Sequence, residues 1–306
     1  MSERTEPETE EIPFQRSPDA QRPDTGSSRV RVDLAGLSDK GKVRENNEDH
    51  YMIVGFGRFL ETLSTNLPEE EVPAGSHEVG YGLVVADGMG GHSAGEVASR
   101  LALQTLVRLV ANIPDWILLP DHLWTEEILR RAEERCQGIH ALLTERSKTS
   151  PQLHRMGTTL TVTWSLGKEL FIAHVGDSRA YRFRKGQLHR FTEDHTLAQA
   201  MAERGFLRPD EVPRSRLRHV LTQTLGGGAS TVKPDLQQHQ LQDGDCLLLC
   251  TDGLTDMVDD ETIAAVLASN EPSAHICQRL VDLALERGGK DNVTVVVARY
   301  DFSEVD

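Results

Sequence analysis

The chain has 306 residues, of which 38% are hydrophobic and 26% charged, and its formal net charge is -15. That length can bury a substantial core in one large domain or two modest ones, and the composition is that of a globular protein in water. The acidic excess argues against a general nucleic-acid binder, and no apolar run approaches the length needed to span a bilayer.

The N-terminus, MSERTEPETEEIPFQ, has no apolar core and does not read as a secretory signal. Residues 1–28, rich in Glu, Pro, Ser, Thr and Asp, are expected to form a disordered acidic tail. From Val30 the stretch VRVDLAGLSD alternates in part and predicts a strand; SDKGKVRENNED follows, and Tyr51, Met52, Ile53 and Val54 predict another. Residues 55–80 read as a loop or short helix around Phe59, Leu60, Leu63 and Leu67, ending in a Pro/Glu-rich stretch. The run Leu83, Val84, Val85, Ala86 is strand-like and too short for a helix, and Asp87 stands where it ends, before Gly88, Gly90 and Gly91.

Helices are predicted over residues 93–113, where Ser93 and Glu96 have capping-box spacing, and over 125–147. In the second, Ile128, Leu129, Ala132, Cys136, Ile139 and Leu143 recur at helical spacing. TTLTVTW, ELFIAHV and RAYRFR, with turn signals at Gly167 and Gly186, read as an antiparallel meander. Residues 195–224 are polar, arginine-rich and partly helical over 197–204. Strands follow at 236–241 and 246–251, helices near 261–269 and 274–287, and a closing strand at 293–300. Strand runs and helix pairs come in blocks, which points to an α+β fold with stacked antiparallel sheets.

The cysteines are Cys136, Cys246, Cys250 and Cys277. On one strand, CLLLC, Cys246 and Cys250 would sit about 13 Å apart, beyond disulfide reach. Cys136 and Cys277 fall on helical patterns and read as packing residues, and no zinc spacing is present. A reduced, cytoplasmic setting is expected.

One design recurs: an apolar strand whose end, or adjoining turn, carries an acid beside glycine or asparagine. It appears at Asn47–Glu48–Asp49, Asp87–Gly88, Gly176–Asp177–Ser178, Asp252–Gly253 and Asp291–Asn292. Taken singly, each reads equally well as an ordinary turn. If the ends converge, like charges about 4 Å apart cost roughly 4 kcal/mol per pair at an effective dielectric of 20, so cations or protons must fill the pocket. Oxygen ligands without a Cys/His set favour magnesium, manganese or calcium. An acid bridging two such ions is the arrangement that prepares a water for in-line attack on phosphorus.

The stretches SDKGKVRENNED, VVADGMGGHSAGE, GTTLTV, HVGDSRAYR, LTQTLGG, LLLCTDGLTDMV and GGKDNVTVVV resemble, in order, the motifs of the metal-dependent PP2C (PPM) protein phosphatases, in their bacterial version. The resemblance runs from Asp33 to about Phe302. It implies a four-layer α-β-β-α sandwich, two stacked antiparallel sheets flanked by helix pairs, over residues 29–303, with a flap at about 195–224. It implies hydrolysis of phosphoserine and phosphothreonine on proteins by a water activated between two manganese or magnesium ions, in opposition to serine/threonine kinases. The partners it implies are phosphorylated proteins, a kinase among them, and we expect a monomer that engages neither nucleic acid nor membrane.

Carried over by position, Asp87 would bridge the two metals, joined by the Gly88 carbonyl, and Asp252 and Asp291 would complete the other site. Glu48 and Asp49 would act largely through metal-bound waters, and Asp177 matches an acid that helps hold a weaker third metal. Arg44 would grip the substrate phosphate, as a guanidinium does bidentately, and Asn47 and Asn292 would support the ligands. Met89 replaces a histidine that eukaryotic members use as general acid, which leaves a metal-bound water or the nearby His92 as proton donor. A flap serine that assists the third metal in some bacterial members finds no match near Arg214–Ser215.

A non-catalytic module on this fold would have lost its metal acids, and a calcium-held structural domain would have no use for Arg44 beside them. One further expectation concerns PRSRLRH: if extended, Arg214, Arg216 and Arg218 form a basic stripe that attracts acidic or multiply phosphorylated substrates, unless Asp210 and Glu211 pair with them.

Overall fold

In chain order the first elements are β1 (Arg31–Asp39), β2 (Asp49–Leu60), β3 (Ser76–Met89), α1 (Ser93–Ala111), α2 (Trp124–Thr149), β4 (Gly157–Thr158), β5 (Leu160–Leu166) and β6 (Glu169–Val175). They are followed by β7 (Arg179–Arg184), β8 (Gln187–Arg190), α3 (Leu197–Glu203), β9 (Leu225–Gly226), β10 (Asp235–Gln240) and β11 (Cys246–Cys250). The chain ends with α4 (Asp252–Thr255), α5 (Asp260–Leu267), α6 (Ser273–Glu286) and β12 (Val293–Asp301). This computed structural model describes residues 30–60, 68, 76–90, 93–111, 124–228 and 230–302. The tail expected over residues 1–28 lies outside them, as do Leu63, Leu67 and His92.

The strands form two antiparallel sheets, one of 5 strands in the order β1-β12-β11-β7-β8 and one of 7 in the order β10-β6-β5-β3-β4-β9, with β2 also on β3. Because side chains alternate along a strand, the central strands bury both faces. Leu83, Val85, Leu170 and Ile172 of the larger sheet meet Leu247, Leu249, Val296 and Ala298 of the smaller between the layers. Tyr300 Oη and Ser165 Oγ join the sheets across that seam at 3.0 Å. On the outer faces, α1 and α2 pack Ala98, Ala102, Ile139 and Leu143 onto the larger sheet, and α5 and α6 pack Ile263, Leu267, Ile276 and Leu280 onto the smaller. The result is the four-layer α-β-β-α sandwich. Leu249, fully buried in the middle layer, illustrates its energetics: truncation to Ala costs about 2–5 kcal/mol. Cys136, Cys246, Cys250 and Cys277 are all free and buried.

Three expectations need correction. Residues 55–60 and 76–80 are not loop or helix; they extend β2 and β3 into one long hairpin, from Asp49↔Asp87 to Leu60↔Ser76. Backbone pairing carries it where Gly55, Gly57 and Gly80 break the apolar pattern. The expected meander also divides: β5 and β6 pair in the larger sheet, whereas β7 pairs with β11 and β8 in the smaller. The chain crosses layers at Gly176, whose φ of +112 favours glycine and whose Cβ position faces Thr159 Cγ2 at 2.5 Å. Finally, PRSRLRH is not extended: residues Pro209–Arg214 form a 3-10 turn with Pro at its start, so no alternating stripe exists.

Candidate metal centre

The site lies at one end of the sandwich, where both sheets deliver turns to a cavity of about 530 Å³ lined by Arg44, Glu48, Asp87, Asp177, Asp252 and Asp291 among others. Asp87 does not end its strand. It sits where β3 exchanges partners, β5 pairing as far as Val85↔Thr161 and β4 beginning at Gly88↔Thr158. Its backbone is clamped there: Asp87 N donates to Thr159 Oγ1 (2.9 Å), and Asp87 O accepts from Thr158 Oγ1 (2.8 Å) and Thr159 N (2.9 Å). Gly88 follows because nothing larger fits; a Cβ would stand 2.1 Å from Gly95 O and 2.8 Å from Glu48 O.

The other sheet supplies Asp252, at the start of α4 after β11, and Asp291, just before β12. Asn292 staples the Arg44-bearing loop beside them. Its Oδ1 accepts from Glu48 N (2.8 Å), and its Nδ2 donates to Lys40 O and Asn46 O, each at 2.8 Å. Asn47 continues the staple, donating from Nδ2 to Ser38 Oγ (2.9 Å) and accepting from Asp49 N (3.2 Å). Arg44 reaches back over the acids, with Nη2 on Asp291 Oδ2 at 2.6 Å.

Asp49 is set deeper. It pairs directly with Asp87 across the hairpin and is 4% exposed. Its Oδ2 accepts from Thr251 Oγ1 (2.7 Å) and Thr294 Oγ1 (2.8 Å), whereas Oδ1 is buried without a partner. Asp177, at the layer crossing, is 8% exposed. Burial, then the charges of Asp49, Asp252, Asp177 and Asp291, push the Asp87 carboxyl well above the ordinary range. Burial, then Asp252 and Asp194, does the same to Asp177.

Sequence reasoning missed His219. Its Nδ1 lies 3.5 Å from Asp252 Oδ2 and its Nε2 3.4 Å from Asp256 Oδ2, and the hydrogen bond to Asp252 raises its pKa. Asp177, His219 and Asp252 offer ligand atoms all within 4.8 Å of one another. No local pattern marks His219, because only the folding of the flap brings it to the acids. Thr159, which also lines the cavity, sits in the GTTLTV stretch. Of the flap arginines, Arg214 and Arg216 are exposed. Arg218 is not free, since it pairs with Asp256 at 3.2 Å.

The donor set fits a hard divalent ion. Carboxylates converge, the Asp252 and Asp49 Oδ1 atoms are buried without hydrogen-bond partners, and the raised carboxyls mark uncompensated negative charge. Such charge in a low-dielectric pocket is neutralised by protons or by metal.

Residues 71–286 match the family described as Protein phosphatase 2C. The chain belongs to that family. It is 36% identical over 275 residues to the serine/threonine protein phosphatase PstP of Mycobacterium tuberculosis, covering 88% of this chain and 46% of that protein, so it spans about half the relative's length. It is 30% identical to the serine/threonine phosphatase stp of Listeria monocytogenes, covering 87% of this chain and 95% of the other. The catalytic domain of PstP in complex with 2 manganese ions superposes with a TM-score of 0.68 at 34% identity, covering 89% of this chain and all (100%) of that one. The Streptococcus agalactiae serine/threonine phosphatase gives a TM-score of 0.71 at 31% identity, covering 88% and 99%. The sandwich described above is thus the fold of this phosphatase family.

Proposed function

We propose that the chain is a metal-dependent phosphatase that hydrolyses phosphoserine and phosphothreonine on proteins. The observation that carries this reading is the meeting of Asp87, Asp177, Asp252 and Asp291 in one cavity with Arg44 at its rim. Asp87 and the Gly88 carbonyl would hold one manganese or magnesium ion, Asp87 with Asp252 and Asp291 a second, and Glu48 would act from the cavity wall. When bound, the pair supplies the positive charge that acidifies water and stabilises a phosphoryl group during in-line displacement. Arg44 orients the phosphate, Asn292 and Asn47 hold the loop that carries Arg44 and Glu48, and Asp49, held by Thr251 and Thr294, would act through metal-bound water. Met89 lines the cavity and has no proton to give, so the leaving alkoxide would take its proton from water or from His92, which lies outside the described residues.

A weaker third ion would sit among Asp177, His219 and Asp252, with His219 in place of the expected serine. The substrates are phosphoproteins, a serine/threonine kinase among them, and the acidic composition, with a formal net charge of -15, favours protein over nucleic acid or anionic membrane as partner. Among the described residues no helix is long and apolar enough to cross a membrane. The free thiols support a reducing, cytoplasmic setting, and we read the enzyme as a monomer in signalling. Arg214 and Arg216, exposed on the flap, attract acidic phosphopeptides.

The test is hydrolysis of p-nitrophenyl phosphate and of a phosphothreonine peptide with manganese, with magnesium, and with EDTA. Activity with either metal and its loss in EDTA are expected. Full activity in metal-free protein overturns the reading.

A further inference from the structure

The flap and the turn that carries Asp177 are tied together through one residue. The flap leaves the sandwich at Thr196 and returns at Leu221, where the two form an isolated antiparallel bridge, and Leu197 N donates to Val220 O at 2.8 Å. Just outside that neck stands His195. Its backbone N donates to Gly176 O (2.7 Å), and its carbonyl accepts from Thr222 N (2.8 Å). Its imidazole Nδ1 accepts from the Gly176 N–H at 3.1 Å, which places the ring hydrogen on Nε2. That Nε2 donates to Asp235 Oδ2 on β10 at 3.0 Å.

The ring is only 10% exposed, and it packs on His174 with centroids 4.8 Å apart. Burial, then His195 itself, lowers the His174 pKa to about 4, so the neighbouring ring is neutral and adds no charge to the seat. The turn it holds needs an outside support. Gly176 adopts a left-handed φ with no side chain of its own, and Asp177 follows it directly. On the other arm of the neck, His219 lies just before Thr222.

We propose that His195 is a positioning residue: by tying Gly176 to Thr222 it sets the spacing between Asp177 and His219 and so builds the weak cation site they share with Asp252. This rests on the metal-dependent reading above. His195 touches neither substrate nor ion. Its backbone joins Gly176 to Thr222, and its imidazole adds the bond that seats the Gly176 N–H, which is the bond that His195→Ala removes. Asp235 in turn fixes the imidazole tautomer that can accept from Gly176.

Manganese binding to the metal-free full chain, followed by the electron paramagnetic resonance signal of free Mn²⁺, tests this without reference to turnover. The wild type is expected to take ions tightly at the Asp87 centre and one more weakly. His195→Ala should weaken the weak event by about tenfold or more and leave the tight events unchanged, the size expected for losing a group that orients a ligand. His195→Asn, whose carboxamide oxygen can reach the Gly176 N–H, should restore most of it, and His195→Gln, which reaches only towards Asp235, should not. Asp235→Ala, a half-exposed change, should give a smaller loss of the same selective kind, and it decides the matter if His195→Ala does not fold. Weak binding unchanged in His195→Ala and Asp235→Ala, or tight and weak events weakened alike, overturns the positioning role. If the wild type and Asp177→Ala bind manganese identically, the weak-site reading itself fails, and the inference with it.

Discussion

Arg44 Nη2 stands 2.6 Å from Asp291 Oδ2, so the guanidinium suited to phosphate is held by a carboxylate of the acid cluster. The pair is more than half open to water on the arginine side, with side-chain exposures of 55% and 34%, and such a bond is readily exchanged. Metal on Asp291 and phosphate on Arg44 would each replace the other's partner, so loading the centre would release the clamp.

Arg44→Ala should therefore lower kcat/KM on a phosphopeptide by about ten- to a hundredfold, the loss of charge-assisted hydrogen bonds of roughly 1.5–3 kcal/mol, mostly through KM. The half-saturating manganese concentration should not rise, because Asp291 loses a competitor. An unchanged kcat/KM would remove Arg44 from the phosphate site.

Asp87→Ala and Asp252→Ala each delete a proposed ligand and should reduce hydrolysis of both substrates by orders of magnitude. In EDTA the same variants should melt higher than the wild type, since a like-charge neighbour is gone. Relief of 1 kcal/mol corresponds to about 2–4 °C in a domain of this size. Wild-type turnover in either variant, with its metals bound, contradicts the assignment.

The acid cluster also sets a pH dependence. In the metal-free protein the Asp49, Asp87 and Asp177 carboxyls are raised, by burial first in each case, and for Asp49 to about 7. Unfolded, they titrate near pH 4, at about 3.9. Between these limits the folded state binds more protons than the unfolded state, so stability falls as pH rises through the window. Urea midpoints in EDTA should thus be higher at pH 5 than at pH 7.5, and manganese should abolish or reverse the difference. A metal-free midpoint that climbs with pH contradicts this electrostatic picture.

The flap arginines separate into two kinds. Arg214→Ala with Arg216→Ala should weaken capture of an acidic phosphopeptide by about three- to tenfold at low salt, with the effect gone at high salt and p-nitrophenyl phosphate hydrolysis untouched. Arg218→Ala, which breaks the pair with Asp256, should instead affect both substrates. Equal losses on both substrates in the Arg214/Arg216 variant reject the capture role.

Much of the centre was legible because its acids are local features: Asp87, Asp252 and Asp291 each adjoin an apolar strand and precede Gly or Asn, and those strands are central. The helix pairs were legible from apolar spacing. What escaped was set by distant partners. His219 reaches Asp252 only because the flap closes at Thr196 and Leu221, and no periodicity encodes that closure. The sheet change after β6 escaped because Gly176 reads as any hairpin turn until Thr159 is seen packed against it. The far half of the β2–β3 hairpin escaped because Gly55, Gly57 and Gly80 interrupt the alternation that marks a strand.

The four buried thiols have a consequence for how the protein meets oxidants. Burial pushes Cys136, Cys250 and Cys277 each up to about 12 and Cys246 to about 11, leaving almost no thiolate at neutral pH. Peroxide and alkylating agents react with thiolate, so the folded protein should ignore concentrations that silence phosphatases built on a nucleophilic cysteine. Cys250 lies two positions before Asp252 on the strand that delivers it, and a label there would report the opening of the acid cluster itself. The rate of thiol labelling thereby becomes a clock for unfolding, and manganese should slow it in proportion to how tightly the acids are held together.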